Sequence, residues 1–204
     1  MKKRIILSLI AMMGSVFLLV VASFTWFTVS NRDTVGDNVL GVVDLDVSVT
    51  LEVSTDGINY SETSSIIISN MVPGTTVYYR LVLGNDGNVP VDIRIFLYGF
   101  TDGPADSNYT YDDTKTLRDV LVFDCWNTIN SETISAQTIS SLLPIVPSGD
   151  YSDQSFDLVS SLELPVAGNG IVYFEFQFPG SVGNDYQNLA LEIARLSVQP
   201  AVAS

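Results

Sequence analysis

Apolar and polar residues alternate through most of the chain. Val43, Leu45, Val47, Val49, Leu51 and Val53 share one face of a run whose other face carries Asp44, Asp46, Ser48, Thr50 and Glu52. A period of two sustained this long predicts a half-buried strand. The pattern returns in Val77, Tyr79, Leu81, Leu83, then in Val89, Val91, Ile93, Ile95, Leu97, and again in Val172, Phe174, Phe176, Phe178. Leu189, Leu191 and Ile193 open a further strand, but Leu196 and Val198 fall out of phase with them. A bulge near Ala194 and Arg195 is expected to restore the face. Two stretches break the strand rhythm: Thr114 to Val122, with Leu117, Val120 and Leu121, and Ser135 to Leu143, with Ile139, Leu142 and Leu143. Their spacing predicts short helices in an insertion.

Turn residues punctuate these runs. Gly84-Asn85-Asp86-Gly87-Asn88 tolerates positive φ and predicts a hairpin between the flanking strands, and Pro73-Gly74 marks another turn. Regularly spaced strands without strand-helix-strand alternation predict an all-β fold, an antiparallel jelly-roll-like β-sandwich over residues 41–204. One or two short helices decorate it, and a hydrophobic signal helix precedes it. No internal repeat is visible.

The N-terminus is organised differently. Lys2, Lys3 and Arg4 precede an uncharged apolar run from Ile5 to Val21 that continues through Phe24, Trp26 and Phe27. A basic cluster before an apolar core is an export signal, here residues 1–28, ending at the small residue Thr28 as the cleavage position. The run approaches the length needed to span a bilayer, so retention as a membrane anchor stays open beside cleavage. In either case the basic residues stay inside and the remainder is exported. Residues 29–40 form an N-terminal extension.

Composition narrows the chemistry. Histidine is absent, which removes imidazole metal sites, Ser/His/Asp triads and Cys/His dyads. The formal charge is −14, and without the three leading basic residues it is −17. Such a surface repels phosphate backbones, so no nucleic-acid partner is expected. Cys125 is the single cysteine and permits no internal disulfide. Its neighbourhood beside Trp126 reads as core.

Three blocks together resemble the TasA and camelysin-like family of exported fibre proteins, whose long signals are processed by a SipW-type peptidase. The first is Phe24-Thr25-Trp26-Phe27-Thr28 leading into Gly36 to Leu45. The second joins Ile68 to Gly74 with Leu83 to Val91, similar to the family's leucine-x-proline-glycine turn, the strand after it and its asparagine-glycine hairpin. The third is Asn184-Asp185-Tyr186-Gln187 before the last strand. Asn188 stands where the family has glycine, and Arg195 where it has an apolar residue. The resemblance implies a jelly-roll subunit of extracellular fibres or biofilm matrix that polymerises by donor-strand complementation. The donor would be Val29 to Leu40, with Val29, Val35, Val39 and Leu40 as assembly residues. Each buried donor side chain contributes roughly 1.5–3 kcal/mol. The implied partners are the chain itself as a homopolymer, an accessory fibre subunit and the signal peptidase. The membrane is met only through the N-terminal segment before cleavage.

No catalytic set emerges. Camelysin-like proteins are described as metallopeptidases, but a zinc peptidase needs ligands that this inventory lacks. Lys115, the only lysine after the signal, sits in a polar stretch and reads as a surface residue. Asp102, Asp106 and Asn108, in what reads as a glycine-containing loop, are a weak calcium candidate. Leu164-Pro165-Val166-Ala167-Gly168 reads as a turn. The expectation is a secreted, non-enzymatic structural subunit without cofactor, located in the extracellular matrix or at the cell surface. The alternative is a membrane-tethered or monomeric surface β-sandwich that binds a protein or glycan, for which Tyr109 and Tyr111 offer aromatic contacts.

Overall fold

The computed structural model describes residues 45–106, 114–130, 132–147 and 149–203. Their strands are β1 (Val47–Ser54), β2 (Ser61–Glu62), β3 (Ile66–Ser69), β4 (Thr76–Asn85), β5 (Val91–Pro104), β6 (Val122–Asn127), β7 (Thr133–Thr138), β8 (Tyr151–Leu164), β9 (Asn169–Gln177) and β10 (Leu189–Val202). They pair antiparallel in two sheets, of order β2-β1-β4-β9-β6-β7 and β3-β10-β5-β8. With the β1–β2 hairpin set aside, β3 to β10 interleave as 4-9-6-7 against 3-10-5-8, the strand order of a jelly roll. The expected all-β sandwich is therefore the observed architecture, with β1 and β2 added at one side of the larger sheet.

Period-two alternation sets which side chains meet between the sheets. Tyr79, Leu81 and Leu83 of β4 and Val172, Phe174 and Phe176 of β9 face Val91, Ile93, Ile95 and Leu97 of β5 and Leu158, Leu162 and Leu164 of β8 in one core. Aromatic rings fill its centre: Tyr79 stacks on Phe174 at 5.3 Å, and Phe123 meets Phe156 edge-on at 5.3 Å. Cys125 is buried among them, and desolvation pushes its thiol up to about 12, so it is an inert core residue.

Three expectations are corrected. Gly84 to Asn88 makes no hairpin, because β4 and β5 belong to different sheets and the segment crosses between them. Asn85 dictates the crossing. Its buried side-chain amide donates to the Val89, Leu164 and Pro165 carbonyls at 2.8, 3.1 and 3.1 Å, and its Oδ1 accepts from the Gly87 N–H. The connection is thereby fastened to the turn that carries β8 over to β9.

The expected short helices are present, but each covers less than the stretch its spacing suggests. Thr114 to Val122 holds one 3₁₀ turn at Leu117–Asp119. Ser135 to Thr138 continues β7, and only Ile139–Leu142 forms a helical turn, α1. Both buried sets are satisfied by single turns lying on the sandwich.

Finally, the β10–β5 ladder has no bulge near Ala194 and keeps one register from Leu189↔Pro104 to Val202↔Val91. The phase change falls on both strands at one rung, where Gly99 takes φ +76°. Leu97 and Phe100 are both buried across it, as Ile193 is buried and Leu196 packs on the core. The extra residues lie instead on β8, the outer neighbour of β5, where register shifts and consecutive Leu158 and Val159 are both turned inward.

Candidate functional site: an open corner of the sandwich

Among the described residues four strands face six, and the mismatch leaves one corner uncovered. Among the described residues β2 pairs with β1 only at Glu52↔Glu62 and Val53↔Ser61. On the other sheet β3 pairs with β10 only from Ile193↔Ile66 to Ala190↔Ser69. The first half of β1 and the stretch Ala194 to Val202 of β10 thus have a strand neighbour on one side alone among the described residues. The two half-edges lie at the same end of the sandwich. Val47 pairs with Asn85 where β4 ends, Val202 pairs with Val91 where β5 begins, and the 86–90 crossover joins those ends.

The side chains at this corner are apolar and point inward. Val49 pairs with the fully buried Leu83, yet Val49 is 41% exposed, and Leu45 near it is 40% exposed. On β10, Leu196 and Val198 sit opposite buried Leu97 and Ile95, while Val202, opposite Val91, is 53% exposed. Inward-facing valines and leucines that remain exposed mark a groove without a cover. The adjoining strand edges offer backbone donors and acceptors. Only an extended segment satisfies both features at once. Nine residues of β10, Ala194 to Val202, would pair with a strand about 30 Å long.

Of the other borders, β7 offers an edge of only six residues, and β8 and the short β2 and β3 are poorly suited to such pairing. β8 carries its extra residues along the outer border of the smaller sheet, and they break the regular ladder a new strand would need. β2 and β3 are two and four residues long. The candidate donor Val29 to Leu40, with Val29, Val35, Val39 and Leu40, and the cleavage position Thr28 lie outside the described residues. The acceptor residues were missed by sequence reasoning, although Pro200 carried a signal. A proline interrupts the ladder's donors and belongs to a strand with an open edge.

Asp102 is not in a loop. It lies on β5, where burial pushes its carboxyl up while Arg118 and backbone N–H groups oppose the rise. Its oxygens accept from Arg118 Nε and from the Leu117 N–H, the latter at 2.9 Å. The Arg118 guanidinium in turn lies 3.9 Å from the Tyr151 ring centre. Asp106 is exposed beyond the strand, and Asn108 lies outside the described residues. No group of three acidic or thiol side chains among the described residues is placed to hold a metal.

A polar cleft of about 420 Å³ opens above this ion pair, lined by Thr116, Arg118, Asp119, Ser140 and Tyr151. Ser140 Oγ lies 2.7 Å from Asp119 Oδ1 and 3.0 Å from the Arg118 carbonyl oxygen, which ties α1 to the 3₁₀ turn. The cluster fastens the insertion to β5. Lys115 pairs with Asp185 at 2.9 Å, so it is engaged on the surface. The 165–168 segment is the expected turn, with Ala167 at φ 57° and the Gly168 N–H donating to the Pro165 carbonyl. Tyr109 and Tyr111 lie outside the described residues. No helix among the described residues is long and apolar enough to cross a membrane.

No protein-family model matches the chain, and no curated protein matches it. Among solved structures it is similar to AvmM, described as catalysing macrocyclization in alchivemycin A biosynthesis, at 12% identity and a TM-score of 0.28. The match covers 58% of this chain and 66% of AvmM. A likeness at that level carries no inference about activity.

Proposed function

We propose that this protein is an exported structural subunit of extracellular fibres or matrix, non-enzymatic, that assembles by donor-strand complementation. The observation that carries the reading is the open corner, where exposed inward-facing Val49 and Val202 adjoin half-paired β1 and β10. The donor is the extension Val29 to Leu40 of another copy, released when the signal is removed. In an extended segment Val29, Val35 and Val39 fall on one face, the face that would enter the groove. The resemblance of the Phe24–Thr28, Ile68–Val91 and Asn184–Gln187 blocks to the TasA and camelysin-like fibre proteins supports the same reading.

The test is negative-stain electron microscopy of the chain processed after Thr28, incubated at high concentration, beside the same chain lacking Val29 to Leu40. Regular filaments only in the first sample support donor-strand assembly. Filaments in both samples overturn the donor assignment. Dispersed particles in both overturn self-assembly and favour the tethered binding module.

A further inference from the structure

The outer face of the six-stranded sheet carries a second feature, far from the core and independent of the open corner. Arg80 of β4, Tyr173 of β9 and Trp126 of β6 stand on one rung across three neighbouring strands. At one end of it a cation is already housed. The Arg80 guanidinium lies 4.2 Å from the Tyr60 ring centre and pairs with Glu52, which opposes Glu62 across the β1–β2 ladder. An aromatic ring and the Glu52 carboxylate thus hold one arginine.

At the other end the same elements recur. Trp126 and Tyr173 stack at 5.5 Å with their planes 13° apart, and Trp126 remains 40% exposed. Beside them Asp124 and Glu175 are directly opposed across the β6–β9 ladder, and neither has an ion-pair partner among the described residues. Facing like charges weaken a sheet, and here Arg80 does not relieve them. Burial, and then the Asp124 charge, push the Glu175 carboxyl upward.

We propose that the Trp126–Tyr173 stack, with Asp124 and Glu175, is a docking site for an arginine side chain presented by a partner protein. A planar guanidinium stacks on the open indole face while its N–H groups reach both carboxylates, as Arg80 does with Tyr60 and Glu52. Within the described residues this chain has no arginine to spare on that face. Arg80, Arg94 and Arg118 are paired to Glu52, Asp157 and Asp102, and Arg195 sits on the other sheet beside Tyr98. Charge complementarity thus selects a cationic partner over an anionic one, and the template at Arg80 selects a guanidinium.

The test uses the full chain labelled with fluorotryptophan, the Trp126 resonance being assigned through Trp126→Phe. It is titrated with a short peptide amide carrying one arginine, with the same peptide carrying citrulline, and with a neutral oligosaccharide. The expected result is a saturable shift of the Trp126 resonance with the arginine peptide alone. It is reduced by salt and weakened roughly tenfold or more in the Asp124→Asn, Glu175→Gln double variant. That variant removes a repulsion, so it keeps its cooperative unfolding transition. No shift, an equal shift with citrulline, a shift with the oligosaccharide, or unchanged binding by the double variant each overturns the proposal.

Discussion

Gly99 on β5 lies directly across from Ala194 on β10, and a Cβ built on Gly99 would stand 2.8 Å from the Ala194 Cβ and 3.1 Å from the Ser152 carbonyl oxygen. This rung is where both strands change the face they turn to the core, and the change requires the left-handed φ of +76° that Gly99 adopts. Gly99→Ala therefore meets two obstacles, a disfavoured φ and a crowded site. The expected loss is about 1–3 kcal/mol, read as a lower urea midpoint with unchanged slope. Adding Ala194→Gly removes the closest contact and restores part of the loss, while the φ cost remains.

Asn85 is the buried polar residue that directs the crossover. Asn85→Ala leaves the Leu164 and Pro165 carbonyls without the amide that now donates to them, inside a site shielded from water. A loss of about 1–3 kcal/mol is expected for the orphaned groups. Asn85→Asp keeps the acceptor for the Gly87 N–H but replaces the donor, and it should be as damaging at neutral pH. Denaturation of the two variants side by side checks this, since an Asp variant near wild-type stability would assign the role to Oδ1 alone.

Arg118 matters because of what its removal strands. Arg118→Met leaves Asp102 buried without its cation, a change worth about 3–5 kcal/mol when the carboxyl is charged. Burial already raises the Asp102 carboxyl above its ordinary 3.8, so the folded state holds that proton more tightly than the unfolded state. Stability linked to it is greatest below the ordinary value and falls as pH rises through the raised one. Removing Arg118 raises the folded value further. The variant's deficit should be smallest in acid and widen toward neutral pH, as urea titrations at a series of pH values would show.

Glu175 offers the same sign on an outer surface. Its carboxyl is raised by burial and then by Asp124, so its charge opposes folding above the raised value. Glu175→Gln should stabilise at neutral pH by roughly 0.2–1 kcal/mol, the scale of a cross-strand pair. The gain should vanish as pH drops through the carboxyl range, because wild-type Glu175 is then protonated too. A stabilisation that persists in acid would point to packing of the glutamine rather than relief of charge.

The alternation of Val172, Phe174, Phe176 and Phe178 was legible because period two reports which residues turn inward, and all four are fully buried. Alternation does not report which strand lies beside which. Gly84 to Asn88 therefore reads as a hairpin, although the buried Asn85 amide sends the chain to the other sheet. The same limit hid the open corner. Val47 and Val49 read as a core face, and only the pairing of β2 and β3 shows that half of that face lacks a strand cover among the described residues. Asp102 read as a loop ligand because Gly99 shifts the alternation just before it. The Trp126–Tyr173 rung depends on register between strands distant in sequence, which no local pattern contains.

The open corner makes one demand that separates assembly from folding. Val49 and Val202 contribute little to the core of a single subunit, since 41% and 53% of their surfaces remain exposed. Val49→Asp and Val202→Asp should each leave the subunit folded, with a stability change well below that of a buried substitution. In an assembled fibre the same positions would be covered by the incoming segment, and each carboxylate would then be placed in an apolar groove without a partner. The cost of such a buried charge is several kcal/mol, enough to prevent filament growth at ordinary concentrations. A conservative Val202→Ile change should preserve growth. Sedimentation of incubated samples, with circular dichroism to verify folding, reads both quantities from one preparation. Filaments formed by the aspartate variants at the wild-type rate would place the acceptor elsewhere on the sandwich.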